Sequence, residues 1–319
     1  MSFRFGLLGF GRWGQQLFDT VSQVPGVRVT EVCTQNPARA RLVPKGTTVR
    51  RDWREVVQSG STDAIIIATP PAFHAPHLLA CLDERKPAIV EKPLCLDVAT
   101  ARRIQRRLAQ TRTPVLVDHT LLFNPAYEKL RALARRSRDI RLVASEGLNY
   151  GPFRTDATPL WDWSPHDIAC CLDLIGRFPT RVAALGIAGA GKNKDPQLLT
   201  LRLDFRGGAG AWIQSGSLSL RRRRSISVFT GRRAMIFSDG QPSTLEVYDV
   251  GWQQRNQSES TFRLGVPSRT FTTMERPLTR MIRYFVRGVM SAGDRSRFGV
   301  TAAVDVIRVL AMADDSLHE

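Results

Sequence analysis

The sequence predicts an α/β domain built on a doubly wound parallel sheet, followed by an α+β domain with an open, mainly antiparallel sheet flanked by helices. Three observations carry this prediction. Strand-like and amphipathic helical patterns alternate from residue 1 to about 120, as βαβ units do. The run Ala64-Ile65-Ile66-Ile67-Ala68 has the continuous apolar character of a strand buried on both faces. From Arg181 to about Leu264 alternating segments follow one another with few helical windows between them, which suits antiparallel pairing. A chain of 319 residues exceeds one ordinary core and, at about 150 residues per domain, divides in two. The change of pattern sets the domains at 1–120 and 121–319.

Composition narrows the function classes. Lys and Arg number 46 against 29 Asp and Glu, a net charge of +17. The arginines are spread over many predicted helices (Arg102, Arg103, Arg106, Arg107, Arg131, Arg135, Arg136), so they read as solvated faces. No nucleic-acid recognition motif accompanies them, and no nucleic-acid partner is expected; an anionic small molecule is the sharper reading of the charge. The five cysteines lack metal-ligand or paired spacing, so neither a metal site nor a disulfide framework is expected. No run of about 18 apolar residues suggests a membrane span. Met1-Ser2-Phe3-Arg4-Phe5 enters the first strand without a signal-peptide pattern, and a cytoplasmic location is the expectation.

The first strand, Phe3–Leu8, is followed by glycines at 9, 11 and 14 and then by a helical run, Gln15–Val24. Gly9 permits a tight turn, Gly11 lets the backbone approach a pyrophosphate, and Gly14 lets the helix pack closely on the strand. The helix N-terminus adds free N–H groups and a positive dipole end for phosphates. The stretch Gly9-Phe10-Gly11-Arg12-Trp13-Gly14 is therefore a candidate dinucleotide-binding turn. After the second strand, Val27–Cys33, the residues are Thr34-Gln35-Asn36-Pro37. An acidic side chain that would chelate a ribose diol is expected about 20 residues beyond the last glycine. None stands there. Thr34 can bond either a hydroxyl or a phosphate, and Arg39 or Arg41 can approach a 2′-phosphate, so the cofactor is NAD or NADP.

Helices follow at Pro37–Leu42 and Trp53–Gln58, then a strand, Asp63–Thr69. The loop Thr69-Pro70-Pro71-Ala72-Phe73-His74 lies at the carboxyl edge of the sheet, where ligands of such folds bind. His74 reads as a residue that caps or packs on the next helix, Ala75–Asp83. The strand Ala88–Glu91 closes on Glu91-Lys92-Pro93, which holds a lysine at a defined point over the sheet edge. Its charge can stabilise a developing alkoxide, although a solvated loop lysine is the plain alternative. Helix Asp97–Gln110 and strand Val115–Asp118 complete the first half.

These motifs, in this order and spacing, resemble the Gfo/Idh/MocA family of nicotinamide-dependent sugar and cyclitol dehydrogenases: the glycine turn, Ala68-Thr69-Pro70-Pro71 with His74, and Glu91-Lys92-Pro93. The resemblance implies a Rossmann-type N-terminal domain, with Lys92 near the nicotinamide and the substrate hydroxyl and a cis bond before Pro93. Candidate cofactor contacts are Gly9, Phe10, Gly11, Arg12, Trp13, Gly14, Thr34, Gln35, Thr69, Pro70, His74, Glu91 and Lys92. It also implies a C-terminal sheet that forms subunit interfaces, and hence a homodimer or homotetramer.

Beyond Asp118, His119-Thr120 and Phe123-Asn124-Pro125 resemble loops that line the active site in relatives acting on nucleotide sugars, ahead of a helix to about Ser137. His119, Asn124 and Tyr150 are candidate substrate contacts. A strand, Ile140–Leu148, precedes Leu160-Trp161-Asp162-Trp163-Ser164-Pro165-His166-Asp167. Ser164 reads as an N-cap, Pro165 as the first helical residue and Asp167 as the acidic member of a capping box. This places His166 in a first helical turn, where the dipole keeps its ring neutral and fit to abstract a proton. The resemblance agrees in matching the family's Asp-x-x-x-His motif to Asp162 and His166, with His166 as general acid/base and Asp162 binding substrate or orienting Lys92. Ser164 departs from the glycine that many members carry there. Arg221-Arg222-Arg223-Arg224 is the densest basic cluster and reads as a solvated face or as a site for a diphosphate or a neighbouring subunit. Terminal helices are expected at about Glu275–Met290 and Thr301–Ser316.

Lys92, His166 and Asp162 are thus the candidate catalytic residues of an NAD(P)-dependent dehydrogenase acting on a sugar, with a UDP-sugar as the leading substrate and free sugars or inositols as open alternatives. The other reading is a dinucleotide- or sugar-sensing regulatory protein on the same fold, without turnover.

Overall fold

The computed structural model describes residues 2–151, 153, 157–188, 195–254, 260–290 and 299–318. It comprises two compact units, Met1–Thr120 with Arg276–Arg308, and Leu121–Glu275 with Val309–Glu319.

The first unit runs β1 (Phe3–Leu8), α1 (Arg12–Ser22), β2 (Val27–Cys33), α2 (Pro37–Ala40), β3 (Thr48–Arg50), α3 (Trp53–Gln58), β4 (Ala64–Ile67), α4 (His74–Asp83), β5 (Ala88–Glu91), α5 (Val98–Thr111) and β6 (Val115–Asp118). Its six strands pair in the order β3-β2-β1-β4-β5-β6, all parallel. The chain winds outward from β1 to β3 and returns to β4 on the other side, which creates a switch point between β1 and β4. Both strands are sealed from solvent because the apolar run at 64–67 and Phe5, Leu7 and Leu8 are covered on both faces. The doubly wound sheet matches the sequence expectation. The short β3, which pairs with β2, is an addition to it: its three residues carry too little alternation to be read.

The second unit runs α6 (Pro125–Ser137), β7 (Ile140–Tyr150), α7 (Pro159–Ile175), β8 (Arg181–Ala188), β9 (Pro196–Asp204), β10 (Gly210–Gly216), β11 (Leu218–Thr230), β12 (Arg233–Ser238), β13 (Ser243–Gln254), β14 (Ser260–Leu264) and β15 (Arg269–Thr273). Strands pair in the order β14-β13-β12-β11-β7-β10-β9-β8, with β15 on β13, and every pair except β7 with β10 is antiparallel. One face carries Val143, Ile213 and Val228, all buried, beneath α6 and α7. Tyr127 of α6 is fully buried and its hydroxyl donates to Cys170 O at 3.2 Å and to Asp173 at 2.9 Å, tying the two helices together. Two further helices are α8 (Pro277–Met290) and α9 (Val300–His318). Phe285 of α8 stacks on Phe5 of β1 with ring centroids 6.0 Å apart.

One local expectation is corrected. The helix expected to start at Pro165 behind an N-cap at Ser164 starts six residues earlier, at Pro159, with Thr158 at the N-cap. Pro159 takes the first-turn position that suits proline, and Pro165 lies inside the helix. The apolar Leu160 and Trp161 are buried, and that burial outweighs the break a mid-helix proline would otherwise impose.

Candidate functional site

The glycine turn is shaped by backbone crowding. Gly9 adopts φ +93°, and its N–H donates to Cys33 O at 3.0 Å. A β-carbon there would lie 2.6 Å from Ala68 O, so strands β1 and β4 approach too closely for any side chain. Gly14 lies against the same turn, where a β-carbon would meet Gly9 O at 2.2 Å. Gly11 is different: it caps α1 without a side chain, and the space where its β-carbon would stand is open to 4 Å. An uncapped helix N-terminus with open volume ahead of it, at the switch between β1 and β4, is a cradle that fits a pyrophosphate.

At the end of β2, Thr34 N donates to Arg50 O at 3.1 Å and its hydroxyl accepts from Asn36 N at 3.4 Å. Asn36 caps α2 by accepting from Ala38 N and Arg39 N. Gln35 is exposed, and no acidic side chain stands at this point.

The loop after β4 and the loop after β5 are joined by His74. This ring is buried, with Nδ1 2.7 Å from Pro93 O and Nε2 2.8 Å from Thr69 O. His74 therefore packs at the head of α4 and braces the two loops, while the peptide bond between Lys92 and Pro93 is cis, as the resemblance implied. Thr69 Oγ1 lies 3.2 Å from His77 Nδ1, and burial depresses the His77 pKa to about 4.

Lys92 follows directly on a buried carboxyl cluster. Glu91 and Asp118 are register partners on the last rung of β5 and β6, and both are buried. Trp13 Nε1 of α1 donates to Glu91 Oε1, and Thr120 Oγ1 donates to Asp118 Oδ1. Burial, then the neighbouring Asp118, holds the Glu91 carboxyl well above the usual carboxylate range. Burial also raises Asp118. His119 is buried, and desolvation followed by the charge of Lys92 pushes its pKa down to about 3, so its ring is neutral. The candidate cofactor residues Trp13 and Glu91 are thus linked to each other, and beside Glu91 stands Asp118, bonded to Thr120, which is not among the candidate site residues of the sequence. The available signal was that two parallel strands both end in a carboxylate.

In the second unit Asp162 stands in the first turn of α7, with His166 one turn further on and both partly exposed. The spacing puts the two side chains on one face of the helix. Pro165 has no N–H for the carbonyl of Trp161, so the ladder is open between them. His166 is not in the first turn, and the dipole argument for its neutrality falls with that placement. Asp167 is not a cap either. It is fully buried, accepts from Ser145 Oγ at 2.6 Å, and pairs with Arg224 at 2.8 Å. A β-carbon on Gly147 would lie 2.4 Å from Asp167 Oδ2, so this glycine makes room for the pair.

The arginine cluster on β11 is divided among partners. Arg222 pairs with Asp239 at 3.1 Å, Arg223 with Glu146 at 3.4 Å, and Arg224 with Asp167. Asn124 is fully buried; its carbonyl oxygen caps α6 at Ala126 N, and its amide donates to Ser243 Oγ at 2.9 Å. Tyr150 is 62% exposed, with its ring edge-on to Phe153.

Among the described residues no helix is long and apolar enough to cross a membrane, and no cluster of His, Cys, Asp and Glu could hold a metal ion. All five cysteines are free and buried.

A doubly wound parallel sheet with this open glycine cradle defines a dinucleotide-binding protein. Residues 3–119 match the Gfo/Idh/MocA model, described as an oxidoreductase family with an NAD-binding Rossmann fold. Over its full length the chain is similar to a crystal structure from Magnetospirillum magnetotacticum MS-1 described as a proposed oxidoreductase, with 34% identity, TM-score 0.86, and coverage of 98% of this chain and 100% of that one. The chain belongs to the Gfo/Idh/MocA oxidoreductase family, and its cofactor is a nicotinamide dinucleotide. An inositol 2-dehydrogenase of Mycolicibacterium gilvum (strain PYR-GCK) is 34% identical over 135 residues, which span 41% of this chain and 39% of that protein. A UDP-N-acetylglucosamine 3-dehydrogenase of Acidithiobacillus ferrooxidans shares the fold, with TM-score 0.84 at 18% identity and coverage of 99% of this chain and 98% of that one.

Proposed function

We propose that the protein is an NAD(P)-dependent dehydrogenase that reversibly oxidises a secondary hydroxyl of a sugar to a ketone. The observation that carries this reading is the pairing of Asp162 and His166 on one face of α7, in a chain whose cofactor unit fixes Lys92 between Glu91 and a cis proline. When bound, the nicotinamide ring supplies a hydride acceptor. His166 takes the hydroxyl proton, and the Lys92 ammonium stabilises the alkoxide oxygen as the C–H bond weakens. Asp162, one turn from His166, fixes the hydroxyl or orients Lys92. Tyr150 and His119 are proposed substrate contacts. Asn124 supports that loop from within, since its polar atoms serve α6 and Ser243.

A UDP-sugar is the substrate class we favour. The net charge of +17 suits an anionic substrate, and the fold is shared with a UDP-N-acetylglucosamine 3-dehydrogenase. Inositols are the principal competitors, given the inositol 2-dehydrogenase relatives. The absence of an acidic residue at Thr34, Gln35 or Asn36 is compatible with either NAD or NADP. A panel of UDP-sugars and inositols with each cofactor, followed by absorbance of the reduced nicotinamide, tests the reading. Turnover of a UDP-sugar supports it, and turnover of inositols alone moves the substrate class. Tight dinucleotide binding with no turnover on any member points instead to a sensing protein.

A homodimer or homotetramer through the second sheet is part of the proposal. The face away from α7 carries Leu142, Leu185, Ile187, Trp212 and Phe229, each more than a third exposed. Exposed apolar side chains of this kind on one sheet face suit contact with a second copy of the chain.

A further inference from the structure

We propose that Glu91 and Asp118 share a single proton, forming a carboxyl pair of net charge −1 that positions and charge-balances Lys92. The proposal rests on the role of Lys92 given above and deepens it.

The geometry of the sheet edge carries the inference. In the parallel register of β5 and β6, Glu91 and Asp118 are direct neighbours at the last rung, so their side chains emerge side by side. Both are buried, Glu91 at 9% exposure and Asp118 at 0%. Each carboxyl receives one neutral donor, from Trp13 Nε1 and Thr120 Oγ1 respectively. Asp118 Oδ2 is buried and finds no donor among the described residues, and a proton on the Glu91 carboxyl would supply one. Two ionised carboxylates are both acceptors only and cannot hydrogen-bond to each other; one proton between them makes the bond possible. The same proton removes the repulsion of two like charges held close together away from water.

The charged surroundings select one proton rather than none or two. Lys92 is the cation whose field acts on both carboxyls, and His119 beside it is neutral. A monoanionic pair neutralises one ammonium. A dianion would hold two like charges side by side away from water, and a fully protonated pair would forgo the attraction between a carboxylate and the Lys92 ammonium. The arrangement also ties α1, through Trp13, to the strand ends that carry Lys92. Trp13, Glu91 and Asp118 therefore act as positioning residues, through Lys92 rather than on the substrate.

The test counts charge on the protein alone, with no substrate present. Electrophoretic mobility near pH 7 is compared between the wild type and the isosteric double variant Glu91→Gln/Asp118→Asn, with circular dichroism as the check on folding. A shared proton predicts a net charge more positive by one unit. A gain of two units, meaning both groups ionised, or of none, meaning both protonated, overturns the proposal. Should the double variant fail to fold, infrared spectra of the wild type decide: a deuterium-sensitive carbonyl band of a protonated carboxyl supports the pair, and no such band sinks it. The role toward Lys92 is read from the pH–rate profile of Asp118→Asn, which should shift while dinucleotide affinity holds. An unchanged profile would leave the pair as structural only. A protein that turns over no substrate can still pass or fail the charge count, so the two readings fail separately.

Discussion

A β-carbon on Gly14 would stand 2.2 Å from the carbonyl oxygen of Gly9, whereas one on Gly11 would meet nothing within 4 Å. The two glycines therefore serve different ends. Gly14→Ala must displace backbone at the turn and is expected to destabilise the first unit and abolish dinucleotide binding. Gly11→Ala is expected to leave the melting temperature nearly unchanged while weakening dinucleotide binding on the order of tenfold or more, about 1.4 kcal/mol, because the methyl group enters the cradle. Thermal melts beside a titration with reduced cofactor separate the two outcomes.

Acid sensitivity follows from two buried histidines. The folded-state pKa values of His77 and His119 lie at about 4 and about 3. An unfolded histidine titrates near ~6.5. Between those values the unfolded chain binds more protons, so stability falls as pH drops below about 6.5 and the loss ends only below the folded values. His77→Gln is expected to flatten this fall, by at most about 1.4 kcal/mol per pH unit for one histidine. Denaturant midpoints measured from pH 7 to pH 4 check it, and an unaltered slope would count against a neutral His77.

Arg224 and Asp167 form a largely buried ion pair, 14% and 0% exposed. Removing the arginine alone leaves a carboxylate uncompensated under α7. Arg224→Met is expected to cost about 3–5 kcal/mol, and the double variant Arg224→Met/Asp167→Asn less than the single one. Equilibrium unfolding of the four members of the cycle gives the coupling.

For the proposed chemistry, His166→Ala and Lys92→Ala are each expected to lower kcat by about 10²–10⁴ with dinucleotide affinity retained. Stopped-flow or steady-state rates together with a binding titration test this. An active His166→Ala would falsify the acid/base assignment.

The exposed sheet face offers a separate test. Trp212 and Leu142 lie on the same face, since Trp212 pairs with Ala144 two residues along β7 from Leu142. Trp212→Glu is expected to reduce the oligomer to a monomer in light scattering without changing the dinucleotide affinity. A wild-type protein already monomeric at high concentration would end the interface proposal.

Much of the first sheet was legible because its signals are local. A continuous apolar run, a glycine turn and strand-to-helix alternation each act within about one element, and the helix Trp53–Gln58 and the strands Phe3–Leu8 and Val27–Cys33 stand where they were read. The second sheet was legible as a class only. Segments such as β15, with exposed Arg269 and Thr270, alternate too weakly to announce a strand until β13 offers the pairing. Ser164-Pro165-His166-Asp167 misled for a related reason. It carries a strong capping signature, but Ser164 bonds to Ser215 Oγ at 2.7 Å and Asp167 to Arg224, so tertiary partners claimed the groups that a cap would have used.

The sequence by itself determined the dinucleotide fold, the glycine turn, the Lys92 loop and the spacing that puts Asp162 and His166 one turn apart, because each depends on neighbours along the chain. Only the tertiary structure decided which distant groups meet: Glu91 with Asp118 and Trp13, His74 between Thr69 and Pro93, Arg224 against Asp167. All but the contact of His74 with Thr69 join residues 19 or more positions apart, and burial raises the Glu91 and Asp118 carboxyls above their usual range. The pairing of distant strands is not written in any short stretch of the chain.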